Sequence, residues 1–171
     1  MAALPENRGI AACLCGSVEL ELFGAPMATV ACHCDDCHEG ARQIEALPNA
    51  PPVQDPDGGT VYVLYRKDRV KCTRGAAHLR SHKIRQSSAT NRVVATCCNA
   101  AMLLNFDDTK HWVDVYRSRI KTDVPPLQMR ICTKFAPAGG AVPTDVPGYP
   151  SYPFKFIAKL VGARIAMLFH R

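Results

Sequence analysis

Cys32-His33-Cys34-Asp35-Asp36-Cys37 places three thiols within six residues. A turn there brings three sulfurs toward one point, which suits a tetrahedral zinc ion with bonds of about 2.3 Å. Three protein ligands leave a fourth position for water or an incoming thiol, the arrangement of a catalytic site, and a zinc with a vacant position lowers the pKa of a thiol that binds it. A closed site would instead take His33 as its fourth ligand, and a metal-free reading would simply bury the thiols. Three clustered cysteines beside Asp35 and Asp36 are poor core filler, so a metal role is preferred.

Upstream, Cys13-Leu14-Cys15-Gly16 supplies two more thiols, and Gly16 lets the backbone turn so that both sulfurs face inward. A Cys-x-Cys pair is half a site, and Cys97-Cys98 is the obvious partner. Adjacent strand residues point to opposite faces, so either the chain kinks at Cys97-Cys98 or one of the pair binds. Between the first two cysteine groups, Val18, Leu20 and Leu22 alternate with Glu19 and Glu21, the pattern of a strand with one wet face, ended by Gly24-Ala25-Pro26.

Further β-type runs are expected at 27–31, 60–65, 92–95 and 101–104, with a long Pro/Gly-rich loop over 47–59. The expected class is mainly β without repeats, with residues 1–124 forming one zinc-binding β domain. Residues 125–171 are expected as an extension packing on the same domain, irregular through Pro125-Pro126, Gly139-Gly140, Pro143, Pro147-Gly148 and Pro150. From Pro153, Ile157, Leu160, Val161, Ile165, Leu168 and Phe169 recur at helical steps, which predicts a C-terminal amphipathic helix whose apolar face packs on the body.

The chain has 171 residues and nine cysteines. That many cysteines favour metal over disulfides in a reducing compartment. The start, 1–13, lacks the basic-then-apolar pattern of a secretory signal, and Lys155, Lys159 and Arg164 interrupt the most apolar stretch, so a cytoplasmic protein without a membrane span is expected. The net charge of +6 is uneven: 66–92 carries +8, the tail from Pro153 carries +4, and the remainder is −6. An anionic ligand should favour the basic segment.

Taken together, Cys13-x-Cys15-Gly16, a strand, and Cys32-His33-Cys34-x-x-Cys37 resemble the glutathione-dependent formaldehyde-activating, or centromere-protein-V-like, family over about residues 10–106. The resemblance implies an Mss4-like, mostly β fold. It implies one or two zinc ions: a structural zinc on Cys13, Cys15 and Cys98 with Cys97 as the fourth ligand, and a catalytic zinc on Cys32, Cys34 and Cys37. The family's later Cys-x-x-Cys-Gly appears here as Ala95-Thr96-Cys97-Cys98-Asn99, so its first cysteine is Ala95 and its glycine Asn99. The implied chemistry is reversible addition of a thiol, typically glutathione, to formaldehyde, a carbon–sulfur lyase activity of the S-(hydroxymethyl)glutathione synthase type. The basic segment would hold the anionic thiol.

A competing function is a non-enzymatic zinc fold that binds nucleic acid or another polyanion through the basic segment, although few aromatics interleave it. Among isolated residues, His78 and His82 read as part of a solvated basic face, Cys72 and Cys132 as small buried hydrophobes, Trp112 as a packing residue, and Asp35 and Asp36 as exposed.

Overall fold

The computed structural model of the chain describes residues 8–137 and 141–169. The reading of the start as free of a signal, and the glycine pair Gly139-Gly140, fall wholly or partly outside them. The strands are β1 (Arg8–Ala12), β2 (Glu19–Phe23), β3 (Ala28–Cys32), β4 (Thr60–Arg66), β5 (Val70–Arg74), β6 (Leu79–His82), β7 (Thr90–Ala95), β8 (Ala100–Phe106), β9 (Trp112–Tyr116) and β10 (Met129–Ile131). Helix α1 spans Asp35–Glu45 and helix α2 spans Phe154–Phe169.

The alternation at Leu20 and Leu22 works as expected: both are buried while Glu19 and Glu21 are part-exposed, and β2 lies between β1 and β5 in a three-stranded antiparallel sheet. The other strands form a seven-stranded sheet in the order β10-β3-β4-β9-β8-β7-β6. β10, from the stretch expected as an extension, pairs in parallel with β3 and so forms one edge of the main sheet.

Strand β9 shows how the layers are built. Val113 and Val115 face one way, joining Leu20, Leu22, Val63 and Met102 in the core between the two sheets. Trp112, Asp114 and Tyr116 face the other way, toward the helices, because successive strand residues alternate. On that second face, cross-strand pairing sets Leu64 opposite Asp114, Asp114 opposite Leu104, and Leu104 opposite Arg92 in one continuous row.

The sequence reading placed 32–37 in a turn, whereas α1 begins there. Its signals are Asp35 and Asp36 in the first turn, which suit the positive end of a helix, and Cys37, Gly40, Ala41 and Ile44 buried at helical spacing. The loop after it is tied back by Glu45, whose carboxylate accepts from the Val53 and Gln54 amides at 2.7 and 3.1 Å. Helix α2 forms where it was expected, but the packing of its apolar face on the body needs correction. Phe156 is buried and Leu160 packs partly on the core, but Val161, Ile165 and Leu168 are exposed at 52%, 50% and 64%. No helix among the described residues is long and apolar enough to cross a membrane.

Candidate metal centres and the adjoining cavity

The first thiol cluster joins two turns. Cys13, Leu14, Cys15 and Gly16 connect β1 to β2, with the Gly16 amide donating to the Cys13 carbonyl at 3.1 Å and Gly16 at φ 77°. That left-handed backbone is why a glycine stands there. Cys97 and Cys98 lie in the turn joining β7 to β8, which closes through Asn99 at φ 52°. Asparagine tolerates the left-handed region better than most residues, so the turn closes without a glycine. Because both cysteines sit in a turn, strand alternation does not separate them.

The ligand atoms of Cys13, Cys15, Cys97 and Cys98 all lie within 4.8 Å of one another. The sulfur separations are 3.6 Å for Cys13 to Cys15, 3.7 Å for Cys13 to Cys97 and 3.4 Å for Cys15 to Cys97. A tetrahedron with bonds of about 2.3 Å has edges of about 3.8 Å, so four thiols at this spacing fit zinc. The Ser17 hydroxyl and amide pull the Cys15 thiol down to about 6, supplying a ready thiolate. Buried Arg119 lies near Cys98 and Cys13, where its charge offsets part of the negative charge of a four-thiolate site.

The second cluster is built at a strand-to-helix junction. Cys32 ends β3, Cys34 caps the N-terminus of α1, and Cys37 sits in its first turn, with the three sulfurs within 4.8 Å. Cys34 is the thiolate of the group: its pKa falls to about 2, first through the Cys32 and Cys37 thiols, with further help from the Cys37 backbone N–H and the charge of Arg92. Cys32 is held far above the ordinary thiol range, first by the Cys132 thiol and then by Cys34, Cys37 and burial.

Cys132 is buried in the hydrophobic core, as read from the sequence, and its thiol also neighbours Cys32. It stands beside Cys32 because Ile131 of β10 pairs with Cys32 of β3, and it adopts φ 59° as the chain turns away. The Tyr152 hydroxyl lies near Cys132. Sequence carried no signal for this neighbour, since no cysteine lies close to it in the chain. His33 does not join the thiols. Its ring is fully buried against Gly59, neither ring nitrogen has a partner, and burial disfavours its charged form. Cys72 bonds the Arg74 carbonyl, and His82 bonds the Gln43 amide oxygen at 2.8 Å, both apart from the clusters.

Cys32, Cys34 and Cys37 line a cavity of about 440 Å³. Its walls are largely apolar, formed by Leu64, Leu104, Phe106, Trp112, Phe156 and Leu160. Trp112 packs on Phe106 at 5.9 Å between ring centroids, so it does serve packing, but it also forms cavity wall. Asp36, expected to be merely exposed, reaches the same cavity and pairs with Arg85 at 3.0 Å.

Of the cations in the basic segment, Arg92 reaches the cavity. The others are largely engaged elsewhere: Arg66 pairs with Asp68, Arg74 with Glu19 and Lys83 with Asp107. Arg92 is almost fully buried, lies against Gly40, and donates from Nη2 to the Asp36 carbonyl while Nη1 lacks a partner. Across the row, Asp114 Oδ1 is also unpartnered, and burial raises that carboxyl to about 7.

A crystal structure of a Rhodobacter sphaeroides protein aligns with 82% of this chain and 99% of its own, at 16% identity and a TM-score of 0.47. No curated protein matches the sequence. The model of the family described as glutathione-dependent formaldehyde-activating enzyme matches residues 9–47, the segment that carries Cys13, Cys15, Cys32, Cys34 and Cys37. That segment is thus similar to the glutathione-dependent formaldehyde-activating enzyme family, and both thiol clusters assemble around it.

Proposed function

We propose that the protein is a zinc-dependent enzyme of the carbon–sulfur lyase type, which reversibly joins a thiol to a small aldehyde. S-(hydroxymethyl)glutathione is the adduct that the family description suggests. The observation that carries this reading is the three-thiol group of Cys32, Cys34 and Cys37 lining a cavity large enough for a small organic ligand. Cys13, Cys15, Cys97 and Cys98, which do not line that cavity, are assigned to a second, structural zinc.

A zinc ion on the three thiols would stabilise an incoming thiolate, the nucleophilic form of a thiol. The remaining work falls to the cavity. Its apolar walls exclude water, so the reacting pair is held away from competing hydration. In the forward direction the thiolate sulfur attacks the carbonyl carbon, a C–S bond forms, and the carbonyl π pair moves to oxygen. That oxygen takes up the proton the thiol lost. Asp114, raised to about 7, can hold and return that proton near neutral pH. Tyr152 at the cavity wall, a phenol that stays protonated at neutral pH, offers an O–H to the developing oxygen charge.

The test is formaldehyde adduct formation by the zinc-loaded protein, with Cys34→Ser as control. Adduct formation above the solution rate that is lost in the variant is expected, and equal rates would overturn the reading. The polyanion-binding alternative is less well supported, because carboxylates neutralise much of the basic segment. Binding of a short DNA duplex that weakens steeply with salt would favour it.

A further inference from the structure

We propose that the cavity beside Cys32, Cys34 and Cys37 selects a thiol with an apolar, aromatic or branched aliphatic body and a single acceptor group for Arg92, in preference to glutathione. This inference rests on the proposed thiol–aldehyde chemistry and names its substrate class. It begins with the row Leu64, Asp114, Leu104, Arg92, four cross-strand neighbours on the face that the cavity covers.

The two polar members of the row each present one unpartnered buried atom, Asp114 Oδ1 and Arg92 Nη1. Adjacent strands lie about 4.8 Å apart, so Asp114 and Arg92 are separated by roughly 10 Å with Leu104 between them. Buried polar atoms left without a partner are costly, and both line a cavity where a ligand can supply what is missing. Arg92 has one guanidinium edge free, since the other is spent on the Asp36 carbonyl. It can therefore satisfy one carbonyl or carboxylate.

Much of the wall around these two groups is apolar. Leu64 and Leu104 lie in the row, Phe106 and Trp112 lie one step along the sheet, and Phe156 and Leu160 of α2 cover them. Glutathione carries two carboxylates and an ammonium group and has little apolar surface to bury against such walls. Its second carboxylate would have to lose water beside Asp36 or Asp114, where no free cation matches it. Lys110, the other cation on the cavity wall, is paired with Asp108 and sits over the Phe106 ring. A thiol whose body is a phenyl or branched alkyl group fills the same space with no such cost.

Trp112, the single tryptophan, lines the cavity and reports its occupation. The zinc-loaded protein is titrated with 3-phenyl-2-sulfanylpropanoate, which carries one phenyl group and one carboxylate, and with glutathione while Trp112 fluorescence is followed, and the titrations are repeated on Leu160→Ser. Leu160 is half-buried at the cavity wall, so the change should not compromise folding. The phenyl thiol is expected to bind at least tenfold more tightly than glutathione, and Leu160→Ser to weaken it several-fold with little effect on glutathione. Equal or tighter binding of glutathione would overturn the substrate class while leaving thiol chemistry standing. Binding of the phenyl thiol unaffected by Leu160→Ser would also overturn it, because the ligand would then lie elsewhere. Failure of both thiols to bind would overturn this inference and the proposed function together.

Discussion

The Cys132 thiol stands against the Cys32 thiol because β10 runs parallel to β3 with Ile131 opposite Cys32. This contact ties the last strand of the sheet to the three-thiol group, but Cys132 is not among the sulfurs that lie within 4.8 Å of one another. Cys132→Ser should therefore leave the zinc content of the purified protein unchanged, whereas Cys34→Ser should lower it by about one ion per chain. Elemental analysis of both variants checks this, and loss of zinc in Cys132→Ser would make that residue a ligand.

The four-thiol cluster joins the β1–β2 turn to the β7–β8 turn, and so links the two sheets. A metal bound only by the folded chain adds its binding free energy to stability. Thermal melts of the Cys13→Ser, Cys15→Ser double variant should show a loss on the order of several kcal/mol, and a strong chelator should reproduce the loss in the parent. A double variant that melts like the parent would remove the structural role.

Asp114 makes stability depend on pH. Its folded pKa of about 7 lies above the ordinary carboxyl value of 3.8, so the neutral form favours the fold. The associated stability is complete below about pH 4 and is lost as pH rises through about 7. The nearby charge of Lys110 opposes the shift without cancelling it, and Arg92 stands beyond Leu104 in the same row. Asp114→Asn should thus gain stability relative to the parent as pH rises, by on the order of 4 kcal/mol between pH 4 and pH 8. Denaturant melts at both pH values measure it, and a pH-independent difference would show that the carboxyl stays ionised.

Gly40 on α1 faces the buried guanidinium of Arg92, and a methyl group at Gly40 would overlap it. Gly40→Ala should destabilise the protein by about 1–2 kcal/mol, because the helix-propensity gain of about 1 kcal/mol offsets only part of the overpacking. It should also push Arg92 out of the row and weaken binding of any ligand whose acceptor it meets. Urea melts and Trp112 fluorescence titrations test the two effects separately, and unchanged ligand binding would show that Arg92 makes no contact.

What the sequence determined by itself is local. The period-two pattern at Leu20 and Leu22, the turn residues that bound β4 and β7, and the spacing of Cys32, Cys34 and Cys37 are short-range signals, and each element formed where it was expected. Helix α1 was written in the sequence too, in Asp35, Asp36 and the buried positions through Ile44, but the density of cysteines there drew the reading toward a turn. The tertiary structure decided the rest. Strand pairing brought Cys97 and Cys98 to Cys13 and Cys15, set Cys132 beside Cys32, and aligned Asp114 with Arg92. It also matched Arg74, Lys83 and Arg85 of the basic segment with carboxylates from distant parts of the chain, while Arg92 faces the cavity. The reason is physical: local pattern sets which way a side chain points, but only register between strands far apart in the chain sets what it meets.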